Sequence, residues 1–348
     1  MAQSVPGPSD HLGVAVLGTG AWGRNHVRAL GAEPGVTVRW VVDPDQDARD
    51  HALALAQPGT QASGSAEAAL TDPGVDAVII CSPAPTHAKL ARAAIAAGKH
   101  LLIEKPLALD LDQASIVVTE AIAARRTLAV GHLMIYHPVV LRLAELVESG
   151  ELGPLHYLHA TRVNLGKLRR DENALWSFGP HDLSMIDLLV GEEASTVTAR
   201  GQAFLQPGIE DVVFVTLRFP SGAMAHLHLS WLSPRKERRL TIVGANKMAE
   251  FDDVAVEKLR IYDRGYDRPP SFTEFGEYLA IRDGEVRVPH VPMVEPLRAM
   301  LRDFLHCLRT GARPRSDGAA GLRVVRALDA ASRSLAADGA PVALRPGP

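Results

Sequence analysis

Four short stretches of the 348-residue chain carry residue types that could do chemistry together. Gly18-Thr19-Gly20-Ala21-Trp22-Gly23 is a G-x-G-x-x-G turn, and it follows the apolar run Val14–Leu17 and opens a helical stretch. In that context Gly18 allows the tight turn, Gly20 lets a pyrophosphate approach the backbone, and Gly23 lets the helix pack on the strand. The helix N-terminus beginning at Ala21 and Trp22 then offers free N–H groups and a partial positive charge to the diphosphate. Asp43 stands 25 positions after Gly18, at the end of the next strand-like run. A carboxylate there accepts from both adenosine ribose hydroxyls and repels a 2′-phosphate, so NAD is expected rather than NADP. Cys81-Ser82-Pro83 and Glu104-Lys105-Pro106 each close an apolar run. At the carboxyl edge of a parallel sheet Ser82 and Pro83 would meet the nicotinamide ribose. Lys105 could donate to a substrate hydroxyl and stabilise a developing alkoxide, with Glu104 orienting it. A surface Glu-Lys pair is the alternative.

Positioning these groups requires a sheet whose strands end at one edge. Val14–Leu17, Val36–Val42, Ala77–Cys81, His100–Ile103 and Thr127–Val130 are short apolar runs separated by helical segments. That alternation predicts βαβ units and a doubly wound parallel sheet. After Gly131 the pattern changes. His156–Leu165, Ser195–Ala203, Val212–Phe219, Ala223–Trp231, Arg238–Val243, Met248–Phe251 and Leu259–Asp263 follow with few helices between them, which predicts an open, largely antiparallel sheet. Helices are expected over His181–Leu189, Glu295–Arg309 and Gly318–Ala336, with Tyr266–Gly284 as a long polar loop. Length alone predicts two domains. The expected division is a short leader over 1–11, a nucleotide-binding domain over 12–131 and an α+β domain over 132–348, whose last helices may pack on either.

The order Gly18–Gly23, Ser82-Pro83-Ala84-Pro85-Thr86-His87, Gly98-Lys99-His100 and Glu104-Lys105-Pro106 resembles the Gfo/Idh/MocA family of nicotinamide-dependent sugar and cyclitol dehydrogenases. The resemblance implies an N-terminal Rossmann domain and a C-terminal α+β domain whose open sheet forms a homodimer or homotetramer contact. It implies that Lys105 is the active-site lysine, that His87 belongs to the cofactor side, and that Gly131-His132 and Tyr136-His137-Pro138 lead back to the substrate. His181 matches the family's catalytic histidine, while Ser177 stands where an aspartate usually precedes it. His181 would then be the general base, with Asp182 or Asp187 as candidates to orient it.

The segment Asn164 to Trp176 resembles members that oxidise the 3-hydroxyl of a UDP-linked N-acetylhexosamine or its uronate. Lys167, Arg169 and Arg170 could bind a diphosphate or carboxylate, and Asn164, Asn173, Trp176 and Asp182 could contact the sugar or base. A solvated polar loop is the competing reading for the basic residues.

Composition sets limits on the rest. Lys and Arg number 37 against 40 Asp and Glu, a net charge of −3, which argues against a nucleic-acid partner. Two cysteines, Cys81 and Cys307, exclude a disulfide framework and a Cys-rich metal site, so no metal is expected and a cytoplasmic setting is. No run is long enough to span a membrane. The expected activity is NAD-dependent oxidation of a secondary sugar hydroxyl. A ketosugar reductase, a cyclitol dehydrogenase, a redox-neutral NAD-dependent glycosidase or epimerase, and a non-catalytic nucleotide sensor are the alternatives.

Overall fold

The computed structural model describes residues 11–166, 168, 172–267 and 280–344. Two compact units divide the chain, one running to Tyr136 and taking in Val294–Val325, the other holding His137–Met293 and the segment from Arg326.

The first unit runs β1 (Leu12–Leu17), α1 (Ala21–Gly31), β2 (Val36–Val42), α2 (Gln46–Leu53), β3 (Gln61–Ser63), α3 (Ala66–Thr71), β4 (Ala77–Ile80), α4 (His87–Ala96), β5 (His100–Ile103), α5 (Leu111–Ala123) and β6 (Leu128–Val130). Its six strands lie in the order β3-β2-β1-β4-β5-β6, and every pairing is parallel. β1 and β4 are buried at every position, as expected of strands covered on both faces. The carboxyl ends of β1, β2, β4 and β5 deliver Gly18, Asp43, Ser82 and Lys105 to one edge. β3 and α3, of three and six residues, are too short to leave a periodic signal and were not expected from the sequence.

The second unit contains α6 (Pro138–Glu148), β7 (Leu155–Val163), α7 (Ala174–Val190), β8 (Thr196–Gln202), β9 (Val212–Arg218), β10 (Met224–Ser230), β11 (Glu237–Gly244), β12 (Met248–Asp252), β13 (Leu259–Asp267) and β14 (Ala280–Arg287). The chain closes with α8 (Pro296–Thr310), α9 (Gly318–Ala336) and β15 (Val342–Ala343). The second sheet has the order β14-β13-β12-β11-β7-β10-β9-β8-β15. Among the described strands of this second sheet only β7 and β10 pair in parallel. Alternation along β9, β10 and β11 buries Val213, Val215, Leu217, Ala225, Leu227, Leu229, Leu240 and Ile242 on one face, and α7 packs against β10, β7 and β9.

Two expectations are corrected. The helix anticipated at His181 begins at Ala174, because Asn173 caps it by accepting from the Trp176 N–H at 3.1 Å. Pro180 lies inside the helix rather than before it. The proline removes one N–H, but the surrounding apolar side chains Leu175, Leu183 and Ile186 are buried and hold the element together. The long loop expected over Tyr266–Gly284 is entered and left by paired strands, with Tyr266 opposite Ile281. β14 is an edge strand with no buried face, so it shows none of the alternation that marks a half-buried strand. No described helix is long and apolar enough to cross a membrane.

Candidate active site

The turn after β1 has the shape required to hold a dinucleotide. Gly18 has φ +89°, and a Cβ there would lie 2.4 Å from the Ser82 nitrogen. A Cβ on Gly23 would come 1.9 Å from the Gly18 carbonyl oxygen, so α1 packs at glycine distance. Gly20 is the N-cap of α1, with no side-chain cap and no acid in the first turn. A Cβ on it would meet nothing within 4 Å. The first-turn N–H groups of Ala21, Trp22 and Gly23 are therefore without a protein side chain to cap them. Thr19 is fully buried and its hydroxyl has no hydrogen-bond partner among the described residues. Asp43 is fixed by the Thr19 N–H at 2.7 Å and the Asp45 N–H at 3.0 Å, one on each oxygen. Each carboxylate oxygen keeps lone pairs for a ribose. These residues fit NAD.

At the end of β4 the Ser82 and Thr86 hydroxyls lie 2.6 Å apart, and Pro83 is exposed. His87 is buried, with ring nitrogens 2.7 Å from the Pro106 carbonyl oxygen and 2.8 Å from that of Ser82. It braces the two segments that flank the sheet edge. The Lys105–Pro106 peptide bond is cis. Lys105 is partly buried. Glu104, expected to orient it, accepts from the Lys105 backbone N–H at 3.2 Å through its Oε2. Its Oε1 accepts from His26 Nε2 at 2.8 Å.

Burial alone would raise the Glu104 pKa. The hydrogen bond and charge of His26, a hydrogen bond from Trp22 and the nearby Lys105 charge bring it below the ordinary carboxylate value. Burial pushes His132 down to about 4 and raises the Cys81 thiol well above its usual value, with Glu104 adding to the latter. Cys81 is thus a neutral thiol at pH 7. Tyr136, expected at the substrate, is 4% exposed, and its hydroxyl donates to Asp303 at 2.7 Å and lies 3.0 Å from Ser316 Oγ. Its bonds are internal to the first unit.

In the second unit Asn164 follows β7, its N–H donating to the Ser230 carbonyl at 3.1 Å. Lys167 and Arg169, expected to bind the substrate, lie outside the described residues, as does Arg170. Asn173 caps α7 and donates to Glu210 at 2.6 Å, and the Trp176 indole donates to Ser332 at 3.0 Å. His181 is partly buried on α7, one turn beyond the buried Ser177. Asp182 is 1% exposed and both its oxygens accept from Arg162, at 2.7 and 3.0 Å. Its carboxylate forms an ion pair between α7 and β7.

Three residues were not singled out from the sequence. Arg162 shares inward parity with Leu158 and Ala160 on β7, and a charge among inward apolar residues was a readable signal for a buried pair. Cys81 was given no role in the site. His26 sits with Val27, Ala29 and Leu30 on the buried side of α1, and nothing local points to Glu104, 78 positions away.

Residues 12–132 match the family described as an oxidoreductase family with an NAD-binding Rossmann fold, and residues 140–250 match the GFO/IDH/MocA C-terminal domain. The chain belongs to the Gfo/Idh/MocA oxidoreductases. It is 30% identical over 318 residues to UDP-N-acetylglucosamine 3-dehydrogenase of Acidithiobacillus ferrooxidans, covering 91% of this chain and 95% of that protein. Inositol 2-dehydrogenase of Streptomyces avermitilis is 35% identical over 228 residues, a match spanning 64% of this chain and 66% of that protein. GenD2 from gentamicin A biosynthesis, solved in complex with NAD, superposes with a TM-score of 0.81 at 26% identity, covering 99% of this chain and all of that one. As a Gfo/Idh/MocA member the protein is an oxidoreductase with an NAD-binding Rossmann domain, related to enzymes named for sugar and cyclitol hydroxyls.

Proposed function

We propose that this oxidoreductase is an NAD-dependent dehydrogenase of the C3 hydroxyl of a nucleotide-linked sugar, of the UDP-N-acetylglucosamine or corresponding uronate type. One observation carries the reading: the relative named as a UDP-N-acetylglucosamine 3-dehydrogenase matches along both units, over 91% of the chain, whereas the inositol 2-dehydrogenases of Streptomyces avermitilis and Rhodococcus erythropolis match over 64% and 77%. The second unit selects the substrate in this reading, so a match that spans it more fully weighs more than a slightly higher identity over part of the chain.

Asp43 would hold the adenosine ribose, and the first turn of α1 would hold the diphosphate. When bound, NAD supplies the hydride acceptor. Lys105 donates a hydrogen bond to the reacting hydroxyl oxygen and stabilises the charge that develops there. His181 takes the hydroxyl proton at its imidazole. The balance is alcohol and NAD to ketone, NADH and one proton. Lys167 and Arg169 engage the diphosphate or uronate by charge-assisted bonds. The enzyme works in the cytoplasm as a homo-oligomer, using the outer face of the second sheet, where Tyr157 and Phe214 are exposed.

A second reading, cyclitol oxidation, is favoured by the 35% identity to an inositol 2-dehydrogenase. Absorbance at 340 nm, with NAD and UDP-N-acetylglucosamine, its uronate or myo-inositol in parallel, separates the two. NADH from either nucleotide sugar supports the proposal. NADH from myo-inositol alone replaces it with the second reading. Release of a leaving group without net NADH identifies a redox-neutral reaction.

A further inference from the structure

We infer that His26, outside any cofactor or substrate contact assigned above, is a positioning residue that holds the Glu104 carboxylate and through it sets the place and charge state of Lys105. The inference rests on the reading of Lys105 as the active-site lysine. His26 is 0% exposed on α1, and its Nε2 lies 2.8 Å from Glu104 Oε1. The other carboxylate oxygen accepts from the Lys105 backbone N–H. One carboxylate therefore links α1 to the residue that ends β5, and it has little room elsewhere. A Cβ on Gly131 would come 2.8 Å from Glu104 Oε2 and 2.9 Å from its Cδ, so only glycine at 131 leaves the carboxylate its place. The Trp22 indole also favours the Glu104 anion. Its ring stands edge-on to His26, with centroids 6.5 Å apart at 85°.

A buried carboxylate persists as an anion only when hydrogen bonds replace its water. Among the described residues the titratable groups around Glu104 are His26 from α1, Cys81 after β4, His132 after β6 and Lys105 itself. Donor atoms of His26, Cys81 and Glu104 all lie within 4.8 Å of one another. With Cys81 and His132 neutral at pH 7, as derived above, His26 is the neighbour whose hydrogen bond keeps Glu104 ionised. An ionised Glu104 favours the ammonium form of Lys105 through the Coulomb attraction between them. His26 thus acts on the reacting group two steps away, by geometry through the backbone bond and by charge through the carboxylate.

The test is a direct titration of Lys105. The chain holds seven lysines, so 13Cε-labelled lysine gives a readable spectrum, and Lys105→Arg assigns the resonance. Wild type, His26→Leu, His26→Gln and Glu104→Gln are titrated without NAD or sugar. The Lys105 apparent pKa is expected to fall by about one pH unit in Glu104→Gln and by a smaller step in His26→Leu. It should return to the wild-type value in His26→Gln, whose amide can still donate to Glu104. Unchanged Lys105 titration in either His26→Leu or Glu104→Gln overturns the inference. If His26→Leu fails to fold, His26→Ala takes its place with the same readings. The titration needs no substrate, so an inactive wild-type enzyme with a shifted Lys105 would refute the proposed function and leave the linkage standing. A turnover arm adds a separate readout: His26→Leu should lower kcat with little change in the NAD dissociation constant.

Discussion

Replacing Arg162 by Leu should make the second unit unfold far more readily. Arg162 and Asp182 are 5% and 1% exposed, and the guanidinium engages both carboxylate oxygens, at 2.7 and 3.0 Å. Removing the cation leaves a carboxylate between α7 and β7 with no solvent to receive it. Breaking such a pair costs about 3–5 kcal/mol. A separate route gives a similar figure. The stranded acid can neutralise itself by taking a proton, and at pH 7 that costs about 4 kcal/mol for a group of ordinary pKa near 3.9. The double substitution Arg162→Leu/Asp182→Leu removes both charges and should recover most of the loss, to within about 1–2 kcal/mol of wild type. The assay is urea unfolding followed by tryptophan fluorescence. A Trp22→Phe/Trp40→Phe background leaves Trp176 and Trp231, which both report the second unit, as the chain's remaining tryptophans. A single-variant loss below about 1 kcal/mol, or a double variant no better than the single, would refute the reasoning about the pair.

Asp43→Ser should lower NAD affinity by roughly 10–100-fold, the loss of one charge-assisted contact, while improving NADP relative to NAD; isothermal titration with each cofactor reads both. Gly23→Ala should abolish measurable NAD binding with the fold retained by circular dichroism, since its Cβ would sit 1.9 Å from the Gly18 carbonyl oxygen and must push α1 off β1. Burial holds His132 at about 4, and burial together with the Arg126 charge holds His100 at about 4. Both stay neutral in the folded protein while the unfolded chain takes protons near 6.5, so the unfolded state binds more protons between those values. Stability should therefore be full above pH 6.5 and fall toward pH 4, with a slope of up to about 2.7 kcal/mol per pH unit, and His132→Leu should roughly halve that slope in urea titrations.

Much of the first unit was legible because its chemistry is local. The glycine turn, the strand ends at Asp43 and Ser82, and Lys105 at the end of β5 each sit within a few residues of the apolar run that positions them. Parallel strands buried on both faces read as continuous apolar runs, and glycine marked where they stopped. What escaped was long-range or unpatterned. The start of α7 depends on the cap at Asn173, and the proline inside it pointed to a later start. β14 buries no face and therefore has no alternation to detect. The His26–Glu104 and Arg162–Asp182 pairs join residues 78 and 20 positions apart, which no window along the chain compares. The Arg162–Asp182 ion pair ties Asp182 to β7, a contact that its place beside His181 in the sequence does not reveal.

The central claim is hydride removal from C3 of a nucleotide sugar, and UDP-N-acetylglucosamine deuterated at C3 tests it most directly. After turnover with NAD, mass spectrometry should find the deuterium in the reduced cofactor, in equal amount to the 3-keto product. Deuterium retained in the sugar or released to solvent, with the cofactor still oxidised, would contradict the account.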